Sequence, residues 1–266
     1  MAKFAAMPII DFHSACLAIG GLDYALQEST LPGKVIILVL FVTSIFSWSV
    51  MVTKFRIVNH ARRQNERFLA DFQADRSPLR IYEGERRYSG APLFHVYRTG
   101  CRELTFHLLG SPEVDETFGA RLDSAQRITP AQMRTVQSAM ERAVGEAGLR
   151  LEAQMILLAT VVSASPFLGL LGTVWGVMDT FGGVAMAGSA SLKAMAPGVS
   201  ASLLTTVTAL LVAIPAMFGY NFLVSNLKAL VVQMDNYAAE LASEFEHKFV
   251  SHSERRQPVN SGGARA

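Results

Sequence analysis

Small residues and one threonine share a helical face within an uncharged run over residues 165–178. The small residues that recur at helical spacing there are Ser165, Gly169, Gly172 and Gly176. Such a stripe lets the backbone of a second helix approach closely inside a membrane. Thr173 places a hydroxyl on the same face, where it can form hydrogen bonds. Because a threonine within a span commonly bonds back to its own helix, periodicity alone favours a packing face over a pore.

Further hydroxyl groups occur in a later apolar run. Ser202 and Thr206 are one turn apart and share a face of the predicted helix, whereas Thr205 points elsewhere by the same spacing. Thr205 is therefore predicted to be a packing or back-bonded residue.

No group of residues in the sequence predicts catalysis. The histidines have no metal-ligand spacing; they are His13, His60, His95, His107, His247 and His252. The Gly-Leu-Leu-Gly-Thr segment at residues 169–173 lacks the lysine of a phosphate-binding loop. Cys16 and Cys101 are predicted to lie on opposite sides of a membrane, so they cannot form a disulfide. We expect no enzyme, no cofactor and no metal site, and the net charge of +2 without a basic stripe does not indicate nucleic-acid binding.

Composition and charge distribution predict three membrane-spanning helices. Hydrophobic residues make up 50% of the chain and charged residues 17%. About 20 apolar residues are enough to cross a bilayer. Long segments without any charge lie between Lys34 and Lys54, between Glu152 and Asp179, and between Lys193 and Lys228. Acidic residues precede the first segment and no small-x-small cleavage site follows it, so we interpret it as a retained span and not as a signal peptide.

Basic residues predict the orientation of these spans. A basic cluster from Lys54 to Arg67 follows the first span, whereas only Lys3 and Lys34 precede it. The side richer in Lys and Arg is normally the cytoplasm, which places the N-terminus in the periplasm and the C-terminus in the cytoplasm. The predicted division is a periplasmic segment 1–33, a first span 34–53, a cytoplasmic helical domain 54–152, a second span 153–181, a periplasmic connection 182–197, a third span 198–224, and a cytoplasmic helical extension with a disordered tail 225–266.

Helix signals extend the spans into the cytoplasm. Thr129 as N-cap and Pro130 at the first helical position mark a helix start, and no further proline occurs before Pro166. We therefore expect one helix from Pro130 to about Phe181, roughly 75 Å at ~1.5 Å per residue, which exceeds the hydrocarbon thickness of about 30 Å. The third span is expected to continue similarly to about Phe245.

These signals together predict an all-α integral membrane protein. It has three transmembrane helices with long cytoplasmic helical extensions, which must pack together because they cannot bury their apolar faces alone. Pro166 and Pro215 lie within two of the spans and are predicted to kink their helices, which neighbouring helices tolerate.

The motif over residues 165–178, Ser-Pro-Phe-Leu-Gly-Leu-Leu-Gly-Thr-Val-Trp-Gly-Val-Met, resembles the second-span signature of the TolQ/ExbB family, which is related to the flagellar stator MotA. The third span resembles the family pattern at Ala196-Pro197-Gly198, residues 203–206, residues 213–216 and Tyr220-Asn221. The similarity extends to the three-span layout and the large inside segment. Within the family, the segments that resemble TolQ more than ExbB are Ser47-Trp48-Ser49, Arg56-Ile57-Val58-Asn59 and Ser165-Pro166.

The resemblance implies a proton channel and stator of the bacterial inner membrane. A homopentamer in the lipid bilayer would surround two copies of a single-span TolR/ExbD-like protein, whose membrane aspartate carries the proton. Proton flow would deliver force to the outer membrane or cell envelope, with a TolA/TonB-like protein as a further partner. By motif match, Thr173 and Thr206 line the pore, and Ser202 joins them because it is one turn from Thr206.

One position departs from the family pattern. The family usually has a glutamate after Ala-Pro-Gly at the start of the third span, and Ala201 occupies the matching position. Asp179, near the outer end of the second span, is the nearest acid and a candidate for the proton entrance, although an acid at a span end is usually only solvated. The missing glutamate keeps an alternative open, which is a membrane scaffold that assembles an envelope complex without substantial proton conduction.

Overall fold

The fold is helical throughout the part of the chain that the structure describes. The computed structural model describes residues 30–75, 77–84, 86–115, 117–188 and 191–251. Its helices, in chain order, are α1 (Leu31–Ala74), α2 (Arg80–Glu83), α3 (Pro92–Leu109), α4 (Phe118–Ser124), α5 (Pro130–Glu152), α6 (Met155–Ala187) and α7 (Leu192–Phe249). Within these ranges, β-type pairing is confined to a parallel bridge between Ile128 and Val250. Most of the predicted N-terminal periplasmic segment and of the C-terminal tail lies outside the described residues.

Three of these helices are long and apolar enough to cross a membrane, which confirms the predicted all-helical class and the number of spans. The most apolar windows of α1, α6 and α7 have mean hydropathies of 2.5, 2.0 and 2.0. Many of their large apolar side chains are exposed, including Phe46, Leu211 and Phe218. Such exposure is favourable in a bilayer, because lipid tails are as apolar as these side chains.

The described residues form two compact units, each built from separate chain segments. The first contains the described residues up to Lys54 together with Gln154–Leu223, and the second contains Phe55–Ala153 together with the described residues from Val224. Helices α1 and α7 contribute to both units. The boundaries lie within one residue of the predicted cytoplasmic ends of the spans, where the sequence changes from apolar to charged.

The first unit has a small core between its three long helices. Leu40 and Ala209 are fully buried, and Leu168 and Val212 pack against them. Farther along α7, a Cβ added to Gly219 would lie 2.6 Å from the terminal methyl of Met51 on α1. Helix α1 therefore packs against α6 and α7 to form a three-helix unit.

The second unit has an aromatic core centred on Phe68 of α1. The centroid of its ring lies 5.4 Å from those of Tyr88 and Tyr97 and 5.7 Å from that of Tyr237. The Tyr97 hydroxyl donates a hydrogen bond of 2.8 Å to the carbonyl oxygen of Pro78. Burial raises the pKa of Tyr97, so the phenol stays neutral in this core. The cluster ties α1, α3, α7 and the segment before α3 into one unit.

The predicted helix start at Pro130 is present, with a complete capping box. The Thr129 hydroxyl accepts a hydrogen bond of 3.3 Å from the Gln132 N–H, and the Gln132 side chain accepts one of 2.9 Å from the Thr129 N–H. Two donors that an α-helix leaves unpaired at its start are thus satisfied.

The expected continuous helix from Pro130 to Phe181 is wrong. The helix is interrupted after Glu152, because Gln154 adopts a left-handed conformation with φ of 69°. A left-handed residue other than glycine costs roughly 1 kcal/mol or more, so contacts elsewhere in the fold must hold it. Neither glycine nor proline marks the break, so the local sequence carries no signal for it.

Helices α6 and α7 both extend beyond the predicted spans, and where the membrane ends along them stays a prediction. α6 continues to Ala187 and does not end near residue 181, and α7 begins at Leu192, before residue 198. The Ser191 hydroxyl accepts a hydrogen bond of 3.2 Å from the Ala194 N–H, which caps the earlier start.

Prolines lie inside both of these helices without ending them. Pro166 is within α6, and Pro197 and Pro215 are within α7. Neighbouring helices can compensate for the hydrogen bond that each proline removes. The kinks at Pro166 and Pro215 remain predictions.

Candidate functional site

Small residues of α6 face α7 at close range within the first unit. The predicted packing stripe is buried along α6 and consists of Ser165, Gly169, Gly172 and Gly176. A Cβ added to Gly169 would lie 2.5 Å from the Cβ of Ala209, and one added to Gly172 would lie 2.6 Å from the Thr205 hydroxyl oxygen. Real side chains do not approach so closely, so the two backbones can be this near only with glycine at these positions.

Three threonine hydroxyls converge on one backbone carbonyl oxygen, that of Gly169. The Oγ1 atoms of Thr173, Thr205 and Thr206 lie 3.1, 3.2 and 3.1 Å from it. Thr173 is one turn farther along α6, whereas Thr205 and Thr206 reach the carbonyl from α7. A carbonyl oxygen has two lone pairs and cannot accept three full hydrogen bonds at once. At least one of these hydroxyl hydrogens is therefore available to another acceptor.

The carbonyl oxygen of Ser202 offers a second acceptor to the same hydroxyls. It lies 2.7 Å from the Thr205 Oγ1 and 3.2 Å from the Thr173 Oγ1. The Thr173 and Thr206 hydroxyls also form a hydrogen bond with each other. We call Thr173, Ser202, Thr205 and Thr206 the hydroxyl cluster, because their hydroxyls or carbonyls meet in the contact between α6 and α7.

Members of the hydroxyl cluster differ in their access to the surface of the chain. Ser202 and Thr205 are 4% and 1% exposed, whereas Thr173 and Thr206 are partly exposed. Thr205 is a buried and back-bonded residue, as predicted, because its hydroxyl donates to the Ser202 carbonyl oxygen three residues earlier at 2.7 Å. The expectation that its side chain points away from Ser202 and Thr206 is wrong, since all three face α6. The physical reason is that a helix in close contact buries a face two residues wide, with the spacing i, i+3, i+4, i+7. In α7 these positions are Ser202, Thr205, Thr206 and Ala209.

Two other predicted positions lie apart from the cluster. Asp179 is exposed and takes part in none of the cluster's hydrogen bonds. α6 continues beyond it to Ala187, so Asp179 lies within the helix and not at its end. Ala201 is 3% exposed, so the position where the family usually has a glutamate is covered by neighbouring groups.

Comparison with known proteins places these residues in a family. The MotA/TolQ/ExbB proton channel family matches residues 112–236, which include all of α6 and the hydroxyl cluster. The Tol-Pal system protein TolQ of Haemophilus influenzae is 30% identical over 223 residues, which are 84% of this chain and 92% of that protein. The chain belongs to the MotA/TolQ/ExbB proton channel family.

Other relatives in the family carry both the TolQ and the ExbB names. TolQ of Pseudomonas aeruginosa is 28% identical over 84% of this chain and 91% of its own length. The biopolymer transport protein ExbB of Xanthomonas campestris is 28% identical over 87% of this chain and 91% of its own length. Family membership and the three membrane-capable helices make the chain an inner-membrane protein of a channel family, which is not a class of enzymes.

The hydroxyl cluster can hold a carboxyl group in either protonation state. A threonine hydroxyl donates to a carboxylate and accepts from a carboxylic acid. The cluster itself contains no carboxylate or imidazole, so it has no group that titrates near neutral pH. Any carboxyl group that meets these hydroxyls therefore comes from outside the cluster.

The sequence identifies the side chains of the cluster more easily than its acceptor. Thr173, Ser202 and Thr206 were expected from their spacing and motif. The shared carbonyl oxygen of Gly169 was not, because every residue has a carbonyl and none is distinguished in the sequence. The small-residue stripe is the nearest signal, since it predicts where a second helix comes close enough to reach the backbone.

Proposed function

We propose that this chain is the proton-channel stator subunit of a TolQ-TolR/ExbB-ExbD-like rotary motor, which uses the proton motive force to deliver energy to the outer membrane or cell envelope. The observation that carries the proposal is the hydroxyl pair of Thr173 and Thr206. Both are partly exposed, hydrogen-bonded to each other, and backed by two carbonyl oxygens in an otherwise apolar region. Family membership supports the same role.

In the proposed mechanism, an aspartate of the partner passes this hydroxyl pair. An ionised carboxylate in the membrane is expensive unless hydrogen-bond donors meet it. Thr173 and Thr206 can turn their hydrogens from the carbonyl oxygens of Gly169 and Ser202 to the carboxylate. Once the carboxylate is protonated, it can donate to a threonine oxygen while the hydroxyls return to the carbonyls. Both hydroxyls have a hydrogen-bond partner whether the carboxyl group is ionised or protonated. This lowers the free-energy barrier between its two protonation states.

The proposed assembly is five copies of this chain around two copies of a single-span TolR/ExbD-like protein that carries the aspartate. It is supported by the wide apolar faces that α1, α6 and α7 leave exposed and by the outward access of the hydroxyl pair. We propose a periplasmic N-terminus and a cytoplasmic C-terminus, and a TolA/TonB-like protein as the further partner. The relatives named TolQ favour a Tol-Pal role.

A second candidate function is a membrane scaffold that conducts few protons. One observation favours it, which is the buried Ala201 at the position where the family usually has a glutamate. If proton transfer requires a carboxyl group from this chain at that position, the chain cannot supply it.

The experiment that separates these functions replaces the hydroxyls one at a time. Thr173→Val and Thr206→Val each remove a hydroxyl while keeping a branched side chain. A hydrogen bond to a charged group is worth ~1.5–3 kcal/mol, so we expect proton flux in proteoliposomes that contain the partner to fall about 10-fold or more. The pentamer mass and co-purification of the partner should not change.

Two threonines outside the cluster provide matched controls. The Thr208 hydroxyl on α7 donates to the Leu204 carbonyl oxygen at 2.8 Å, and the Thr160 hydroxyl on α6 donates to that of Ile156 at 2.8 Å. Thr208→Val and Thr160→Val should keep wild-type flux, because among the described residues these hydroxyls bond only back to their own helices. Wild-type flux in Thr173→Val and Thr206→Val as well would assign the hydroxyl pair to packing. A complex that assembles but conducts no protons, even without substitutions, would favour the scaffold.

A further inference from the structure

A cavity of about 800 Å³ lies within the second unit, and its lining includes no residue of the hydroxyl cluster. It is bounded by α1, by the end of α5 and by the segment that leads into α3. Arg56 and His60 of α1 and Arg150 of α5 supply basic groups to its lining. Ile57, Ala147 and Leu151 supply apolar walls beside them. A basic opening beside apolar walls suits an amphipathic anion.

The lining of this cavity is electropositive. Its positive charge comes from two arginines, and the lining also includes two histidines but no carboxylate. The Glu146 carboxylate, outside this lining, lies 3.9 Å from His95 Nε2 and forms a solvent-exposed ion pair with Arg150 at 3.8 Å, which cancels little of the charge of Arg150. Within the described residues, no ion pair includes Arg56. The pKa of His95, on the same wall, is lowered by burial and by the charge of Arg150.

Glycine at position 90 shapes one wall of the cavity. Gly90 has a φ of 81°, which side chains rarely adopt. A Cβ added there would lie 2.8 Å from two atoms of the His60 ring. The backbone before α3 thus packs directly on this imidazole, and the basic wall is a defined part of the fold.

The sequence positions of the two arginines place the cavity at the membrane surface. Arg56 follows the predicted end of the first span by only a few residues, and Arg150 precedes the second span by a similar number. At ~1.5 Å per residue, each arginine is about 5 Å from the hydrocarbon boundary along its helix. That depth is the headgroup region of a bilayer.

We propose that this cavity binds an anionic phospholipid of the cytoplasmic leaflet. Arg56 and Arg150 hold its phosphate, and the first carbons of its acyl chains lie along Ile57, Ala147 and Leu151. Arginine is suited to phosphate because its planar guanidinium can donate two parallel hydrogen bonds. Basic pockets beside membrane helices recognise anionic headgroups for this reason. The site does not depend on proton conduction, so a loss of flux and a loss of lipid binding are distinguishable, whereas its assignment to the cytoplasmic leaflet rests on the proposed orientation.

The test is a native mass spectrometry titration of the full-length, detergent-purified protein with phosphatidylglycerol. A basic residue near a membrane surface contributes about fivefold to anionic-lipid binding, so Arg56→Gln/Arg150→Gln should weaken binding about 25-fold. Arg63→Gln/Arg134→Gln is the matched control, because it removes two exposed arginines from the same two helices outside the cavity lining. The control should bind within about twofold of wild type.

Two further variants test whether the apolar wall and the positive charges of the cavity both contribute to lipid binding. Ile57→Asn keeps both charges and changes a wall residue that is 42% exposed, so folding should survive while binding weakens about fivefold. Arg56→Lys/Arg150→Lys should restore most of the binding that the glutamine pair loses.

Four outcomes would contradict the proposed lipid-binding site. Equal losses in the cavity and control pairs would mean diffuse attraction to the surface. Displacement of the lipid by an equal concentration of soluble glycerol 3-phosphate would mean a site for free phosphates. Binding unchanged in both the glutamine pair and Ile57→Asn would mean that lipid binds elsewhere. A change of oligomer mass without a change in lipid binding would make the cavity a contact between copies of the chain.

Discussion

At the scale of residues, glycines within one helix serve different purposes. Gly172 of α6 leaves room for the Thr205 side chain on α7, whereas a Cβ at Gly182 or Gly183 would meet nothing within 4 Å. The first kind sets the distance between helices and so lets three hydroxyls reach one carbonyl oxygen. Gly182 and Gly183 do not take part in this contact. The sequence alone does not show which glycines of α6 lie against α7 and which do not.

The difference predicts opposite effects for one substitution at two sites. Gly172→Ala should destabilise the protein by about 1–3 kcal/mol, because the new methyl overlaps Thr205. Gly183→Ala should be neutral or stabilising by up to about 1 kcal/mol, because alanine favours a helix. Thermal unfolding in detergent measures both changes. Equal shifts for the two variants would contradict the close contact between α6 and α7.

At the scale of elements, the interruption between α5 and α6 is the main difference from the predicted fold. Residues 130–181 contain no glycine or proline that would end a helix at this point, yet Gln154 is left-handed. The break falls at the boundary between the two units. The left-handed residue therefore separates α5, in the second unit, from α6, in the first, along the chain.

The left-handed conformation predicts that glycine is favoured at this site. Gln154 is exposed, so its side chain contributes little to the free energy of unfolding. Gln154→Gly should stabilise the protein by about 1 kcal/mol, because glycine adopts the left-handed conformation without steric strain. Gln154→Ala is the control, since it removes the same side chain but keeps the Cβ that opposes this conformation. Chemical unfolding of the purified protein measures both. If glycine destabilises by about 1 kcal/mol, as it does inside a helix, the chain has a continuous helix here.

At the scale of the whole molecule, the two units use the same residue types in opposite ways. Phe46 and Phe218 of the first unit are 66% and 67% exposed, whereas Phe68 and Phe245 of the second are fully buried. Exposed phenylalanine is unfavourable in water but not in lipid, so we expect the first unit to lie in the bilayer and the second in an aqueous compartment. The basic residues that follow Lys54 favour the cytoplasm as that compartment, in line with the proposed orientation.

The proposed topology predicts which cysteines react from outside intact cells. In a variant without Cys16 and Cys101, Ser191→Cys between α6 and α7 should react with a membrane-impermeant maleimide. Ser89→Cys, an exposed position in the second unit, should react only after the cells are lysed. Reversed labelling of the two sites would invert the orientation, whereas labelling of both would show that the reagent enters the cell.

The sequence by itself determined the features that depend on composition and local contacts. It predicted the three spans, because a bilayer selects long runs without charge, and the start of α5, because a capping box is formed by neighbouring residues. It also identified the family from motifs that include Thr173 and Thr206. These features need no knowledge of distant residues.

Only the tertiary structure decided which distant groups meet. The carbonyl oxygen of Gly169 became a shared acceptor because α7 brings two hydroxyls to it, and Thr205 faces α6 because the contact is wider than one row of residues. Arg56 and Arg150 form one basic cavity although 93 positions separate them in the chain. Backbone carbonyls, left-handed residues and long-range neighbours carry no local signal, since their energies come from packing between elements and not from propensities within them.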